Sequence, residues 1–389
     1  MKVIPYILFV LFFVSCTSTA KKEITVPQIL IDIKESGPLK LSDFFSDIQY
    51  IPLSDSILIG DIDRIKLYDD KLLLLTNKSV VSYDLYSGGL ISHIRNIGNG
   101  LTEYISLYDM LFDKEENTIE LLDKNGWKVL KYDINGRFIN AFKIPFSSFS
   151  FYKKSGSYYW FYNNNMLSDS TEHKLIAYNP GEGKIIKQLL PIDKHLAEYF
   201  YVIDANNFSS SPAYSFYFCP SDTIYHISDS GELIPQYSIS LGDNHTPLWF
   251  YKERYADIAD FSKKAGERSY IYLVGNYVEN NHMIGFSVYD RPNLYWSFYD
   301  KKSRTVYIAD RLSDDYHFND EILIEHNNGP FSVNEEQMCF ILQPSQFADL
   351  IELSQSKNLS VSEDLLRIYN SPDFSEFSNP IIVLCKFKE

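Results

Sequence analysis

The chain has little glycine, proline and cationic charge for its 389 residues, and each shortage excludes a class of protein. The 17 glycines and 16 prolines are too few for a collagen-like or low-complexity chain. The 36 lysines and arginines stand against 51 aspartates and glutamates, so the formal charge is −15 and the clustered cations of a nucleic-acid surface are missing. We therefore expect no nucleic-acid partner. Hydrophobic residues make up 45% and aromatic residues 16% of the sequence, which is enough for a large folded core.

Cysteine is also scarce, and its spacing excludes the common metal and redox motifs. There are 4 cysteines, at positions 16, 219, 339 and 385, and no Cys-x-x-Cys pair among them. Cys219, Cys339 and Cys385 lie in apolar runs typical of strands, where a cysteine usually acts as a small buried hydrophobe. Because Cys339 and Cys385 are expected in neighbouring strands, a disulfide between them stays an open alternative.

The sequence has a single long apolar run, at residues 3–14, which is shorter than the roughly 20 residues of a membrane-spanning helix. Lys2 precedes this run, and a small residue and Cys16 follow it, as in a bacterial lipoprotein signal. We interpret residues 1–15 as a cleaved signal peptide, Cys16 as the lipidation site, and residues 16–40 as lipidated cysteine, tether and N-terminal strand. An ordinary signal peptide with an incidental cysteine is the alternative.

One pattern recurs along the rest of the chain: an apolar strand ends in Tyr-Asp or a variant, a turn usually containing glycine follows, and another apolar strand begins. The copies start at Tyr83, Tyr132, Tyr178, Tyr225 and Tyr299. Their spacings are 49, 46 and 47 residues, and then 74 where extra sequence intervenes. A small sheet with two apolar faces must stack on similar neighbours, so the period predicts the blades of a β-propeller.

The strand pattern predicts six blades within one domain at residues 41–389. The expected strand sets are about 62–96, 104–144, 147–191, 206–241, 270–310 and 321–388. The last set lacks an outer strand, whereas the spare strand 48–53 precedes the first. Pairing this strand with residues 381–387 would close the ring with strands from both termini and leave no free sheet edge. The many aromatic side chains are expected to fill the space between blades.

Three stretches interrupt the β pattern and predict short helical insertions in this all-β fold. The first is residues 247–265, where Leu248, Tyr251 and Phe261 follow helical spacing. The second is 344–357, and 362–369 adds a further turn or two.

These residues give the chain a resemblance to the six-bladed β-propeller lipoproteins of Bacteroidota, which are similar in shape to NHL-repeat propellers. The segments that carry it are 41–53, 97–104, 272–280, 379–387 and the Tyr-Asp turns. Leu101 and Thr102 replace the Pro-Gly that the family usually has before Glu103-Tyr104. The resemblance implies a lipid-anchored protein of the cell envelope, at the outer membrane. The acidic run of surface-exported members is absent after Cys16, which favours the side facing the periplasm, and exposure at the cell surface stays an open alternative. It implies no particular activity.

Motifs for known chemistry are missing. Gly98-Asn-Gly100 has neither a third glycine nor a following Lys-Ser/Thr, so it does not predict a phosphate loop. The 8 histidines show no metal-binding spacing, and there is no Gly-x-Ser-x-Gly elbow. No catalytic residue is therefore assigned from the sequence.

Propeller ligands usually bind at the mouth of the central channel, which the innermost strands and the loops before them surround. In this chain those segments supply the polar residues Asp61, Asp63, Arg64, Arg95, Glu103, Tyr104, Asn276, Glu279, Glu325, His326 and Asn327. Each is also a plausible solvated or turn residue. As a group the carboxylates could hold Ca²⁺, although no cofactor is required, and Glu103 with Tyr104 is the leading pair.

Two classes of function remain open. The first, which we favour, is a non-catalytic binding module, monomeric and tethered at the envelope, for a glycan, peptide or partner protein. The second is a hydrolase or lyase with a metal-assisted site at the channel mouth, which would need several polar groups with shifted pKa values in one place.

Overall fold

The computed structural model describes residues 26–388, apart from 77, 154–157, 195–205, 210–213, 291, 320–321 and 326–330. Six sheets follow one another along the chain and form the six blades of a β-propeller, as the repeat predicted. No helix in the described part of the chain combines the length and the apolar character needed to cross a bilayer.

The first strands come from the N-terminal segment, and the blades follow in order. The N-terminal strands are β1 (Gln28–Leu30), β2 (Gly37–Lys40) and β3 (Phe45–Pro52). Blade one contains β4 (Ile62–Leu67), β5 (Lys71–Thr76), β6 (Val80–Asp84) and β7 (Leu90–Ile94). Blade two contains β8 (Leu107–Asp113), β9 (Thr118–Asp123), β10 (Lys128–Asp133) and β11 (Phe138–Lys143). Blade three contains β12 (Ser150–Lys153), β13 (Tyr159–Tyr162), β14 (His173–Asn179) and β15 (Lys184–Pro191).

The remaining blades use strands from both parts of the chain. Blade four contains β16 (Phe208–Ser209), β17 (Ser215–Phe216), β18 (Thr223–Ile227) and β19 (Leu233–Ser240), with β1 added in parallel to β19. Blade five contains β20 (Leu273–Glu279), β21 (Met283–Asp290), β22 (Asn293–Asp300) and β23 (Thr305–Ser313), with β2 in parallel to β23. It also includes β24 (Leu323–Glu325). Blade six contains β25 (Phe331–Val333), β26 (Gln337–Leu342), β27 (Ile381–Phe387) and β3.

The ring closes as predicted, because β3 pairs antiparallel with β27, from Ile381 opposite Pro52 to Phe387 opposite Phe45. The start assigned to blade six was wrong. Residues 323–325 pair with the outer strand of blade five, and the inner strand of blade six begins only at Phe331.

The Tyr-Asp repeat has a hydrogen-bonding cause. The residue after each tyrosine ends or nearly ends the third strand, and where that residue is aspartate its carboxylate caps the turn that follows. Oδ1 of Asp84 accepts from the Ser87 N–H at 2.8 Å, and Oδ1 of Asp133 accepts from the Arg137 N–H at 2.9 Å. Aspartate at this position therefore accepts hydrogen bonds from backbone N–H groups that would otherwise lack a partner in the turn.

The aromatic residues pack between blades, as expected, and β13 shows how. Tyr159 and Phe161 join a buried cluster with blade two, whereas Trp160 and Tyr162 join one with blade four. Successive strand residues point to opposite faces, so a strand covered on both sides is buried at every position.

The three cysteines in the described part of the chain, Cys219, Cys339 and Cys385, are free and buried, which answers the question of a disulfide. β26 and β27 are neighbours, but Cys339 lies opposite Leu384 and Cys385 lies opposite Met338. The two thiols therefore project from opposite faces of the sheet, into two different clusters.

The helical insertions are α1 (Leu248–Tyr251), α2 (Ile258–Glu267), α3 (Pro344–Ser356) and α4 (Glu363–Tyr369). The single helix predicted over 247–265 is two helices, because Asp257 caps a new N-terminus by accepting from the Asp260 N–H at 2.8 Å. Helices α1 and α2 lie in the connection from β19 of blade four to β20 of blade five. Helices α3 and α4 lie in the connection from β26 to β27 within blade six.

The innermost strands β4, β8, β12, β16, β20 and β25 give the channel two distinct ends. They begin at the end where the long connections and helices lie, which we call the loop end. They finish at the end where short turns lead to the second strands, which we call the turn end.

Candidate functional site

The channel holds a cavity of about 630 Å³ that opens at the turn end. All six innermost strands contribute to its wall, together with the turns that follow them. The lining residues are Lys66, Leu67, Tyr68, Asp69, Tyr86, Leu111, Phe112, Asp113, Lys114, Glu115, Phe151, Tyr152, Lys153, Asn206, Phe208, Ser209, Tyr214, Tyr277, Val278, Ser332, Val333, Asn334, Glu335 and Glu336.

Hydrogen bonds between neighbouring inner strands hold this wall together. The Leu67 N–H donates to Oγ of Ser332 at 3.0 Å and joins blades one and six. The Ser209 hydroxyl donates to the Glu279 carbonyl oxygen at 2.6 Å and joins blades four and five. Since such bonds cross between sheets, the cavity has the rigidity of the ring rather than that of a surface loop.

Blades one, two and three are joined in the same way through a buried carboxylate. Asp109 is 1% exposed, and its Oδ2 accepts from the Phe151 N–H at 3.0 Å. Its Oδ1 lies 3.5 Å from Nζ of Lys66. The ammonium group thus compensates a carboxylate that burial alone would make costly.

Aromatic rings form much of the cavity wall. Tyr152 packs against Tyr214 and Phe208, with ring centroids 5.2 and 6.0 Å apart. On another side, Tyr68 meets Phe112 edge to face at 5.4 Å. Rings in such contact keep their positions in the wall.

The phenols of Tyr68 and Tyr152 stay protonated at neutral pH. Burial raises the pKa of Tyr68 above its ordinary value, and the charges of Asp109, Glu120 and Asp113 add to the increase. Burial also raises the pKa of Tyr152, to which the interaction with Tyr214 contributes.

Each lysine of the wall already contacts a carboxylate. Nζ of Lys66 lies near Asp109, as described above, and Nζ of Lys114 lies 2.9 Å from Asp69. Lys153 bonds to Asp113 and reaches Oε1 of Glu116 at 2.6 Å. Their positive charge is therefore largely used within the protein.

Asp113, Glu116 and Glu120 form the group of carboxylates in the described part of the chain that comes nearest to a metal site. Two lysines stand among them. Nζ of Lys131 lies 3.0 Å from both Glu116 and Glu120, and Nζ of Lys153 lies 3.9 Å from Glu120. The ammonium groups occupy the place of a cation, so the donor set fits a buried charge network better than a metal ion.

The pKa directions agree with that network. Hydrogen bonds from Lys153 and Lys131 lower the pKa of Glu116. Burial outweighs the same lysines at Glu120 and raises its pKa. At Asp113 burial acts in the opposite sense, but the bond from Lys153 prevails and lowers the pKa.

The leading pair of the sequence analysis braces the loop between blades one and two. Oε2 of Glu103 accepts from the Gly100 N–H at 2.8 Å, and a Cβ on Gly98 would come within 2.0 Å of that oxygen. Tyr104 is 1% exposed, and its hydroxyl contacts the carbonyl oxygens of Lys78 at 2.9 Å and Ile94 at 3.1 Å. Burial raises the pKa of Tyr104 to about 12.

Two further predicted residues lie in blade five. Asn276 has a φ of +48° within a bulge of β20, and its Nδ2 donates to Oγ of Ser287 at 3.1 Å. Glu279 is 1% exposed, and its Oε1 lies 2.6 Å from Nζ of Lys301. Its other oxygen accepts from the hydroxyl of Tyr277, which lines the cavity. Glu279 thus fixes Tyr277 in the cavity wall without lining the cavity itself.

The other predicted residues are dispersed. Asp61 and Asp63 are exposed at the start of blade one, and Arg64 reaches the Phe149 carbonyl oxygen at 3.5 Å. Arg95 is exposed. Glu325 pairs opposite Arg311 at the outer side of blade five, far along the sheet from the inner strand. His326 and Asn327 lie outside the described residues. None of the nine described candidates lines the cavity.

Comparison with known proteins identifies the family. A profile of DUF4934, a domain of unknown function, matches residues 26–386. The chain belongs to the DUF4934 family. No curated protein matches it significantly.

One of the similar solved structures shows the same fold at low sequence identity. A protein from Bacteroides fragilis, named as an exported protein, is 16% identical with a TM-score of 0.70, over 94% of this chain and 100% of that one. A DUF4221 family member from Bacteroides vulgatus is 10% identical with a TM-score of 0.47, over 88% of this chain and 96% of that one.

Sequence reasoning about this DUF4934 chain missed the residues of the turn end. An inner strand ends in an aromatic residue followed by a polar one in Tyr68-Asp69, Phe112-Asp113 and Tyr152-Lys153. This recurrence was the available signal. A strand that runs into a polar turn looks the same whether or not its last ring faces a cavity, so the pattern alone does not mark a site.

Proposed function

We propose that this protein is a binding module at the cell envelope that takes its ligand into the turn-end cavity. The observation that carries the proposal is the convergence of all six inner strands on one cavity of about 630 Å³ with mixed aromatic and polar walls. This volume lies within the roughly 300–1,000 Å³ typical of ligand pockets.

Polar groups in the wall are available for a ligand. The carboxylates of Glu115 and Glu336 line the cavity and are exposed at its mouth. No arrangement in the described residues favours a metal-assisted reaction over binding, since lysines neutralise the carboxylate group beside the cavity.

We extend the proposal to a lipid anchor at Cys16, which lies outside the described residues. The ten residues from 16 to 25 span at most about 35 Å when fully extended. They lead to β1 at the outer edge of blade four, so the anchor would hold the propeller by its rim, close to a membrane. The exported relative in Bacteroides fragilis supports a location outside the cytoplasm.

The anchor is tested by cell fractionation and lipid labelling. Cys16→Ser is expected to abolish incorporation of a palmitate analogue and to release the protein from the membrane fraction. The anchor would be contradicted if the wild type incorporated no labelled lipid and Cys16→Ser stayed in the membrane fraction. The binding proposal would be unaffected by that result.

Site-specific photocrosslinking in the native envelope tests the cavity as the binding site. A photoreactive phenylalanine derivative replaces Tyr86 at the cavity rim, which is 54% exposed, or Phe377 in the loop-end connection, which is 87% exposed. We expect a discrete crosslinked product from position 86 that disappears when Val333→Trp fills the cavity. Products from position 377 alone, or a position 86 product that survives Val333→Trp, would contradict the proposal.

A further inference from the structure

We propose that the ligand of this cavity is a basic peptide segment, whose lysine or arginine side chains enter between the tyrosine rings and the carboxylates of the turn end. This inference rests on the proposed function and specifies the chemistry of its ligand. Three properties of the cavity favour this ligand: the charge of its wall, its aromatic rings and its hydrogen-bond acceptors.

The charge of the wall is negative. Three lysines and five carboxylates line the cavity, and the lysines are already paired with Asp109, Asp69, Asp113 and Glu116. Glu115 and Glu336 are exposed at the mouth, and half-buried Glu335 accepts from the Asn281 N–H at 3.2 Å. The mouth therefore attracts a cation and repels anionic ligands such as acidic glycans or phosphates.

The rings offer faces that suit ammonium and guanidinium groups. Tyr152 and Tyr214 form one aromatic group with Phe208, and Tyr68 forms another with Phe112. A cation over such a ring gains about 0.5–2 kcal/mol, more where water is excluded. The same molecule shows this contact in an occupied form, because Nζ of Lys124 lies 3.7 Å from the ring centroid of Phe149.

The polar atoms of the wall are biased towards accepting hydrogen bonds. The carboxylates of Glu115 and Glu336 at the mouth are exposed and only accept hydrogen bonds. A peptide supplies donors from both its backbone N–H groups and its basic side chains. The cavity is too small for a folded domain and large enough for a short segment, so the partner enters as an extended stretch of chain.

Isothermal titration with three probes tests the inference: acetyl-pentalysine amide, acetyl-pentaglutamate amide and maltopentaose. The variant Glu335→Gln/Glu336→Gln removes two negative charges at the mouth. The matched control Glu182→Gln/Glu376→Gln removes two from exposed positions outside the cavity lining. We expect only pentalysine to bind, with an affinity that falls roughly tenfold in the mouth variant and less than twofold in the control.

The outcomes separate this inference from the proposed function. Equal losses in both variants would mean attraction to the overall negative charge and would overturn the basic-peptide assignment. Binding of maltopentaose or pentaglutamate in place of pentalysine would also overturn it, while a position 86 crosslink would still support a binding module. Failure of every probe together with failure of the crosslink would remove both proposals.

Discussion

The two ends of the channel use polar residues in opposite ways. At the loop end, the long connections have backbone groups without backbone hydrogen-bond partners, and polar side chains bond to these groups. Glu103 accepts from the Gly100 N–H, and the Tyr104 hydroxyl contacts two carbonyl oxygens. At the turn end the turns are short, and rings and carboxylates remain around a cavity. A concentration of polar residues in sequence therefore identifies a site only where the local backbone does not need them.

The two ends should differ most in how far replacing a tyrosine by alanine lowers the free energy of unfolding. Tyr104→Ala removes a buried ring and its hydrogen bonds, and we expect the free energy of unfolding to fall by about 3–5 kcal/mol. The turn-end counterpart Tyr86→Ala should change it by less than about 1 kcal/mol, because that ring is half exposed. Chemical denaturation measures both, and equal losses would remove the contrast between the ends.

The second-largest loss of stability is expected when a lysine is removed from the charge network beside the cavity. Lys153→Met leaves the buried Asp113 and the half-exposed Glu116 without their closest cation, and we expect a loss of about 3 kcal/mol, mainly from Asp113. Lys114→Met breaks an exposed pair with Asp69 and should cost less than about 0.5 kcal/mol. An equally small effect of both changes would mean that the network contributes no more than surface charge.

A smaller effect is expected at His317, which follows blade five. Burial alone would lower the pKa of His317, but the hydrogen bond and charge of Asp314, with Asp364 and Asp47, hold that pKa above 6.5. Asp314 also accepts from the hydroxyl of Tyr50 at 2.8 Å. The protonated ring therefore stabilises the folded state fully below the unfolded pKa of about 6.5, and this contribution is lost as the pH rises through the folded value.

Unfolding of the wild type and His317→Gln across the pH range checks the sign. We expect the stability advantage of the wild type to be greatest in mildly acidic buffer and to shrink in alkaline buffer. Parallel pH curves would mean that folding does not raise the pKa of His317, and a wild-type advantage that shrinks in acidic buffer would mean that folding lowers it.

The smallest effect should come from the residue that sequence reasoning ranked first. Glu103→Gln keeps an oxygen that can accept from the Gly100 N–H, so we expect a loss below about 1 kcal/mol and no change in binding. Glu103→Ala is the comparison that removes the acceptor. A loss of pentalysine binding in Glu103→Gln with unchanged stability would return the functional site to the loop end.

The fold was predictable because its signals are local. Tyr-Asp turns depend on a carboxylate reaching nearby backbone N–H groups, as Asp84 does, and closure followed from one missing and one spare strand. The break at Asp257 and the place of residues 323–325 were not predictable, because a cap or a pairing partner decides them in space. The cavity was missed for the same reason, since Tyr68 and Tyr152 meet it only after six blades close.

Hydroxyl-radical footprinting of the protein in its native envelope, compared with the purified protein, tests most directly whether the turn end is the functional end. It reports side-chain protection at Tyr86 on the turn end and at Phe377 on the loop end, both exposed in the isolated chain. The account predicts protection of Tyr86 with Phe377 unchanged. Protection of Phe377 with Tyr86 unchanged would contradict it.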